Sequence, residues 1–548
     1  MKFLPSGTGD PRVRRYVLPT RVVWSSGGAV APEHLLTDDE HHCTLVPAKA
    51  GETTSILLDY GQELHGGIRI ECPTIDPKQS ARIRVRFGES VGEAMGTPDQ
   101  DHTIHNQETL VPWMGHTEIG NTGFRFVRID LLEPTAKVTL ANVKAVFLYR
   151  PLEYRGSFES SDERLNRIWD VGAYTVHLCM QDHVWDGIKR DRLVWIGDLH
   201  PELMVINTVF GKVDIVPASL DYVRDRTPLP GWMNGIGSYS LWWILCHRDW
   251  YRYHGDLEYV REQRKYLLGL LELVRNSVGP DGKEQLAGHR FLEWPTSRDP
   301  TAIDAGLQSL VVLSLRAGAE LCDLLGEKAA AEQSRAVAAR AAAHRRAPSP
   351  SKQANALSVL AGMADAGATN AQILARNPHS GLSTFYGYYI LQARAQAGDY
   401  EGCLELIRRY WGGMLDRGAT TFWEGFELEW LPGSGRIDEL PSAGTKDLHA
   451  DYGDYCYVGL RHSLCHGWAA GPTAWLTEHV LGLTPATAGF GKITLRPHLG
   501  NLEYASGTLP TPHGVLKVRH EKRRDGKVET KIDAPRELRE RIRKADSA

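Results

Sequence analysis

The sequence predicts a mostly helical protein flanked by β-structure, on three observations. Up to about residue 155 the apolar residues alternate with period two. At Ser160 the period changes to 3.6, and helical patterning runs on to about residue 485. Beyond Leu483-Thr-Pro485 strand patterning returns. The 548 residues are too many for one ordinary domain, and length alone suggests about two to four. At 42% hydrophobic and 24% charged, the composition is that of a globular protein with a sizeable core. The 63 basic and 67 acidic residues leave a net charge of −4, which gives no pull toward nucleic acid or an anionic membrane.

The first segment carries many short strands. Ser55-Ile-Leu-Leu-Asp-Tyr-Gly-Gln-Glu-Leu-His-Gly-Gly-Ile-Arg-Ile-Glu-Cys72 has two β-rich runs with Gly-containing breaks. Ala81-Arg-Ile-Arg-Val-Arg-Phe87 alternates strictly, one face apolar and one basic. Phe124–Leu131 and Lys137–Leu148 read as further strands. Short strands joined by polar turns predict an antiparallel sandwich. The stretch from Gly92 to His116 reads as a long polar loop with His102, His105 and His116, and is expected to wall the mouth of a site. A metal site there is the weaker reading.

Ser160-Ser-Asp-Glu163 has the form of a capping box, opening a helix with Leu165, Ile168, Trp169 and Val176 on its apolar side. Helices are expected over 161–180, 198–211, 238–253, 256–277, 302–325, 327–346, 353–364, 382–397, 399–411 and 470–481. Turn signals such as Pro228-Leu-Pro-Gly231 and Gly279-Pro-Asp-Gly282 punctuate them. Periodicity leaves open whether these helices stack as a solenoid or close into a ring.

Trp185 to Glu202, WDGIKRDRLVWIGDLHPE, mixes charge with bulk. It holds Asp186, Asp191, Asp198 and Glu202 beside Lys189, Arg190, Arg192 and His200, with Ile188, Leu193, Val194, Trp195 and Ile196 between them. Burying an unpaired carboxylate is costly, so carboxylates set in apolar bulk need partners. Two readings fit: a partly dry pocket that moves protons, or a salt-bridge network stitching two helices. A second such stretch is Arg417-Gly-Ala-Thr-Thr-Phe-Trp-Glu-Gly-Phe-Glu427, where Glu424 is set among Phe422, Trp423, Phe426 and Trp430.

The spacing D-x-x-x-R-D-R-x-x-W-x-G-D from Asp186 to Asp198 resembles the catalytic segment of the bacterial α-L-rhamnosidases, glycoside hydrolase family 78. Asp186, Arg190, Arg192, Trp195, Gly197 and Asp198 fall on matching positions, and Asp191 stands where the family has its general-acid glutamate. Gly187 and Ile188 replace Cys-Pro, and Val194 replaces a Gly, which marks a divergent branch. G-A-T-T-F-W-E is similar to the family's segment bearing the general base, placed here at Glu424. Phe291-Leu-Glu-Trp-Pro295 resembles a sugar-contacting segment, which implies roles for Glu293 and Trp294, and Trp423 stands beside the base. In Ser463-Leu-Cys-His-Gly-Trp-Ala-Ala-Gly471, His466 takes the place of a histidine near the bound sugar.

The resemblance implies an N-terminal β-sandwich over residues 1–155, an (α/α)6 barrel catalytic domain over 156–486 and a C-terminal β-sandwich over 487–548. It implies an inverting glycosidase that releases terminal α-L-rhamnose, with Asp191 as acid and Glu424 as base. Asp186, Arg190, Arg192, Trp195, Asp198, Glu293, Trp294, Trp423 and His466 would bind the sugar. Glu202, with a longer arm, is the competing acid. Two other functions stay open: a non-catalytic sugar-binding protein that kept the pocket, and a glycosidase or lyase of different specificity. Neither cofactor nor metal is expected, and the partner is a carbohydrate. The eight cysteines are spread singly without zinc spacing, which fits a reducing compartment. MKFLPSGTGDPRVRRY lacks the apolar core of a secretory signal, so a cytoplasmic protein is expected unless a leader has been removed.

Overall fold

The computed structural model describes residues 9–97, 105–345 and 347–544. Among these, the N-terminal region forms two facing sheets. The spine of the larger one is the strand Ser55–Cys72, which pairs antiparallel with Arg21–Ser26, Gly115–Leu131 and Asn142–Tyr149. Ala81–Gly88 adds to the far side in a register that sets Ile83 opposite Leu131 and Val85 opposite Ile129. The smaller sheet holds Gly28–Val30, Cys43–Val46, Lys137–Leu140 and Thr74–Asp76. Leu45, Ile75 and Val138 from it meet Ile68, Ile70 and Ile83 across a dry core, as alternation requires. In Ala81–Gly88 the expected apolar face is buried, but Arg86 is buried too, its guanidinium 3.0 Å from Asp130. The long polar loop is not one loop. Val91–Met95 is a helix, and Asn106–Val111 and Gly115–Leu131 are strands, so His116 sits in the sheet opposite Glu71. His102 lies outside the described residues.

The helical region closes on itself. Leu199–Val209, Gly237–His254, Pro300–Leu324, Lys352–Leu360, Gly387–Gln396 and Gly471–Trp475 each pack on the next, and the last packs on the first. A second layer, including Glu163–Cys179, Leu257–Asn276, Lys328–Ala343 and Tyr400–Asp416, covers this ring. This is an (α/α)6 barrel, which removes the solenoid alternative. Sequence explains which helix goes where. Leu199–Val209 is buried at every position, whereas Leu257–Asn276 buries one stripe through Tyr259, Val260, Gln263, Leu267, Leu270, Leu271 and Val274. The first helix is capped by Asp162, whose carboxylate accepts the Arg164 and Leu165 N–H groups, and not by Ser160. Ser160 is taken up by the Asn166 side chain instead. Ile215–Arg226 is a helix that the periodicity did not reveal; it buries Ile215, Val216, Ser219, Leu220 and Val223.

The C-terminal strands Tyr504–Thr511, Gly514–Lys522 and Val528–Asp533 form a sheet completed by Ser157–Ser160, the strand immediately before the first barrel helix. A smaller sheet joins Leu483–Thr487, Lys492–Leu495 and Ile542–Lys544. No helix among the described residues is long and apolar enough to cross a membrane.

Candidate active site

Three segments far apart in sequence are stitched together by backbone hydrogen bonds at one mouth of the barrel. Residues 186–198 run without regular structure between the helices Glu163–Cys179 and Leu199–Val209. Asp186 closes a loop across them: its N–H donates to Leu193 O at 3.1 Å, and its Oδ1 accepts the Leu193 N–H at 2.9 Å. Arg190 and Asp191 lie at the tip. Asp191 and Arg192 both adopt left-handed backbone, at φ 52 and 53, which costs a non-glycine residue about 1–3 kcal/mol and is found mainly at functional turns. The Glu424 N–H donates to Ser463 O at 3.0 Å, and the Gly467 N–H donates to Asp186 O at 2.8 Å. A Cβ at Gly467 would collide with Glu202 Oε1, so a larger residue there would displace the Glu202 side chain.

The segments enclose a cavity of about 400 Å³. Arg190 organises it. Its Nη2 donates to both Glu424 oxygens at 2.5 Å, its Nη1 stands 3.3 Å from Asp191 Oδ1, and its Nε donates to Arg461 O at 2.8 Å. The Ser463 N–H supplies Glu424 with a further bond at 3.2 Å. Burial lifts the Glu424 carboxyl above its ordinary value, with Arg190 pulling the other way. Asp186 and Asp198 are lifted well above the usual range, by burial first; for Asp186 the nearby Asp198 adds to it, while a Tyr239 hydroxyl bond of 2.9 Å opposes it at Asp198. His466 Nε2 faces three carboxylates, 3.7 Å from Asp186, 4.0 Å from Asp198 and 3.9 Å from Glu424. Burial and the Arg190 charge keep that imidazole neutral. The aromatic wall comprises Trp195, Phe291, Trp294 and Trp468. The arrangement can hold protons on two buried carboxyls while a third stays fixed by a guanidinium.

Residues 153–357 match the family of the bacterial alpha-L-rhamnosidase 6 hairpin glycosidase domain, and residues 482–542 match the bacterial alpha-L-rhamnosidase C-terminal domain. Both matches are to domains of bacterial α-L-rhamnosidases, one in the helical region and one in the C-terminal strands. An alpha-L-rhamnosidase from Alteromonas sp. (strain LOR) is 25% identical over 171 residues, 30% of this chain and 18% of that protein. The fold is similar to the GH78 family rhamnosidase of Bacillus sp. GL1, with a TM-score of 0.75 and 24% identity over 94% of this chain and 55% of that one. It is also similar to the rhamnosidase from Klebsiella oxytoca with rhamnose bound, at a TM-score of 0.68 and 19% identity over 85% and 96% of the two chains. For the Streptomyces avermitilis enzyme complexed with L-rhamnose the values are 0.71, 17%, 96% and 50%. The chain thus spans about half the length of the Bacillus protein and under a fifth of the Alteromonas one.

Within this chain, Asp186, Arg190, Asp191, Trp195, Asp198, Trp294, Glu424 and His466 line one cavity. Three of the expected residues do not. Arg192 turns outward to donate to Asn121 O at 2.7 Å. Glu293 is buried behind the wall, where the Ser383 hydroxyl donates to its Oε2. Trp423 is fully buried against Phe426 as a core residue. Glu202 also lies under the floor, away from the cavity lining, lifted well above the usual carboxylate range by burial. Asn234 and Tyr239, from a segment between helices that is expected at the mouth, line the cavity too, as do Trp468 and the unexpected His289 and Arg461. Tyr239 stands in the first turn of the helix Gly237–His254 and donates its hydroxyl to Asp198 Oδ1. A second cavity, of about 320 Å³, lies beyond a floor in which Trp242 stacks on Tyr389 at 4.8 Å. Its polar groups satisfy one another: His200 meets Asp249 at 3.0 Å, and Glu478 accepts from Tyr253, Tyr388 and Gln392. His105, expected at the mouth, instead faces Lys189 O at 3.1 Å behind the site.

Proposed function

We propose that this chain hydrolyses the glycosidic bond of a terminal α-L-rhamnose, or of a closely related sugar, with inversion. The observation that carries this reading is the single guanidinium of Arg190 spanning Glu424 and Asp191. Cleavage needs one carboxylic acid to protonate the leaving oxygen and one carboxylate to activate water on the opposite face. Arg190 holds the two carboxyls on different nitrogens, Glu424 on Nη2 and Asp191 on Nη1, so both face one cavity as an acid and base pair must. Glu424 fits the base: it is fixed from two sides, and burial brings it toward the working range. Asp191, its side chain one third exposed at the rim, fits the acid facing the leaving group. Asp186 and Asp198 would hold ring hydroxyls, with the indole faces stacking on the sugar. That two structural neighbours hold rhamnose supports a carbohydrate partner. Eight unpaired cysteines support a reducing, cytoplasmic setting.

The short arm of Asp191 favours one second reading, a sugar-binding protein that retained the pocket. Incubation with an aryl α-L-rhamnoside, followed by proton NMR, separates the two. Release of β-rhamnose as the first anomer is expected. The α anomer appearing first would overturn the inverting assignment. Binding of rhamnose without release of the aryl group would select the second reading, and neither binding nor turnover would exclude both.

A further inference from the structure

Lys189, inside the motif of the candidate site, turns away from the cavity. Its ammonium is wholly buried, 2.8 Å from Glu93 Oε1 and 3.7 Å from Glu89 Oε2, and it donates to Leu460 O at 2.5 Å and His462 O at 3.0 Å. Glu89 and Glu93 belong to the N-terminal sandwich, at the end of the strand Ala81–Gly88 and in the helix Val91–Met95. With His449 they form a buried group whose ligand-type atoms lie within 4.8 Å of one another. That spacing suits a metal, but the Lys189 ammonium already supplies the cation. A cation in that place has a different consequence, for the neighbouring backbone.

Residues 460–464 are held at successive peptides. The carbonyls of Leu460 and His462 face Lys189, and that of Arg461 faces Arg190 at 2.8 Å. Glu89 Oε2 accepts the Leu464 N–H at 2.6 Å, and Glu89 Oε1 accepts the Ser463 hydroxyl at 3.2 Å. The Ser463 N–H then donates to Glu424 Oε2. One residue therefore separates a carboxylate of the sandwich from the proposed base. We propose that Glu89 and Lys189 are positioning residues for Glu424, so that the sandwich sets the geometry of the barrel's site. This rests on Glu424 acting as the base. Displacement of a reacting group by 1 Å can cost on the order of 10²-fold in rate, which is the scale available to such a clamp.

Glu89→Gln keeps the size of the side chain but offers a single acceptor to two donors. On an aryl α-L-rhamnoside, kcat is expected to fall by at least ~10-fold with KM within about twofold, because Asp186, Asp198 and the ring wall are untouched. Ser463→Ala removes the hydroxyl link and keeps the N–H, with an expected fall of roughly two- to fivefold in kcat alone. A folded Glu89→Gln protein with wild-type kcat would overturn the proposal, as would equal losses in kcat and in active protein. If Glu89→Gln does not fold, Ser463→Ala decides, and an unchanged kcat there overturns it. If the wild-type protein cleaves no rhamnoside, the function reading fails by itself. Crystal structures of the wild-type and Glu89→Gln proteins then carry the test: a displaced Glu424 carboxylate supports the clamp, and an unmoved one overturns it.

Discussion

Glu424 is buried and held by Arg190 and the Ser463 N–H, whereas Asp191 stands at the rim with one charged neighbour at 3.3 Å. Their losses should therefore differ in kind. Glu424→Gln should cut kcat by at least ~10² whatever the leaving group, since water must be activated in every case. Asp191→Asn should lose a similar factor on a natural glycoside and recover much of it on an activated aryl rhamnoside, which needs little protonation. Glu202→Gln should show no such dependence on the leaving group, since Glu202 lies beneath the floor. The reverse pattern in steady-state kinetics would move the acid to Glu202. Glu293 gives a prediction of another type. Burial pushes its carboxyl up to about 8 from an ordinary 4.5, and its Oε1 has no partner among the described residues. A folded-state value raised in this way means that the group favours folding most below about 4.5, and that this is lost as pH rises through about 8. Glu293→Gln removes that dependence. Its melting temperature should match the wild type near pH 5 and exceed it by a few degrees near pH 9, as thermal melts would show. A variant that is less stable at pH 9 would refute the burial argument.

At the scale of elements, the turn at Asp191 and Arg192 concentrates both strain and function. Arg192 contributes one hydrogen bond, to Asn121 O, from an exposed side chain. Losing a bond of that kind costs about 1 kcal/mol, while glycine relieves a left-handed backbone by about the same amount. Arg192→Gly should thus leave the melting temperature nearly unchanged and KM within about threefold. A large rise in KM would return Arg192 to the sugar. This turn also marks where the sequence ceases to be legible. The spacing from Asp186 to Asp198 predicts one shared pocket, but spacing carries no φ, so it cannot tell that Arg190 points in and Arg192 out. The same limit applies to Glu293 and Trp423, whose neighbours in sequence, Trp294 and Glu424, do reach the cavity. Helix positions were readable where one face is apolar, as in Leu257–Asn276. Ile215–Arg226 was not, because it is short and its apolar residues are gathered less sharply on one face.

Across the whole molecule the sandwich and the barrel are joined by charge as well as by apolar contact, and that junction was the least legible feature. The partners lie hundreds of residues apart, and no local pattern marks them. Arg125 is the clearest case. Its Nε and Nη2 bind Asp59 at 2.8 and 2.9 Å within the sandwich, and its Nη1 donates to Gly418 O at 3.0 Å in the barrel. Asp438 completes the group at 3.5 Å. Gly418 opens the loop that carries Glu424, so this contact seats the base segment on the sandwich. Removing Arg125 leaves Asp59 to Arg21 at 3.0 Å and Asp438 to Arg436 at 2.8 Å, so the cost stays below the ~3–5 kcal/mol of a buried charge left wholly unpaired. Arg125→Met should therefore lower the melting temperature. It should also split unfolding into two calorimetric transitions, because the interface that couples two separate cores has been weakened. Activity should fade with the lower of the two, since the Glu424 loop leaves its seat when the sandwich does. A single transition at the wild-type temperature would show that apolar packing alone joins the two parts, and that the ion pair only follows it.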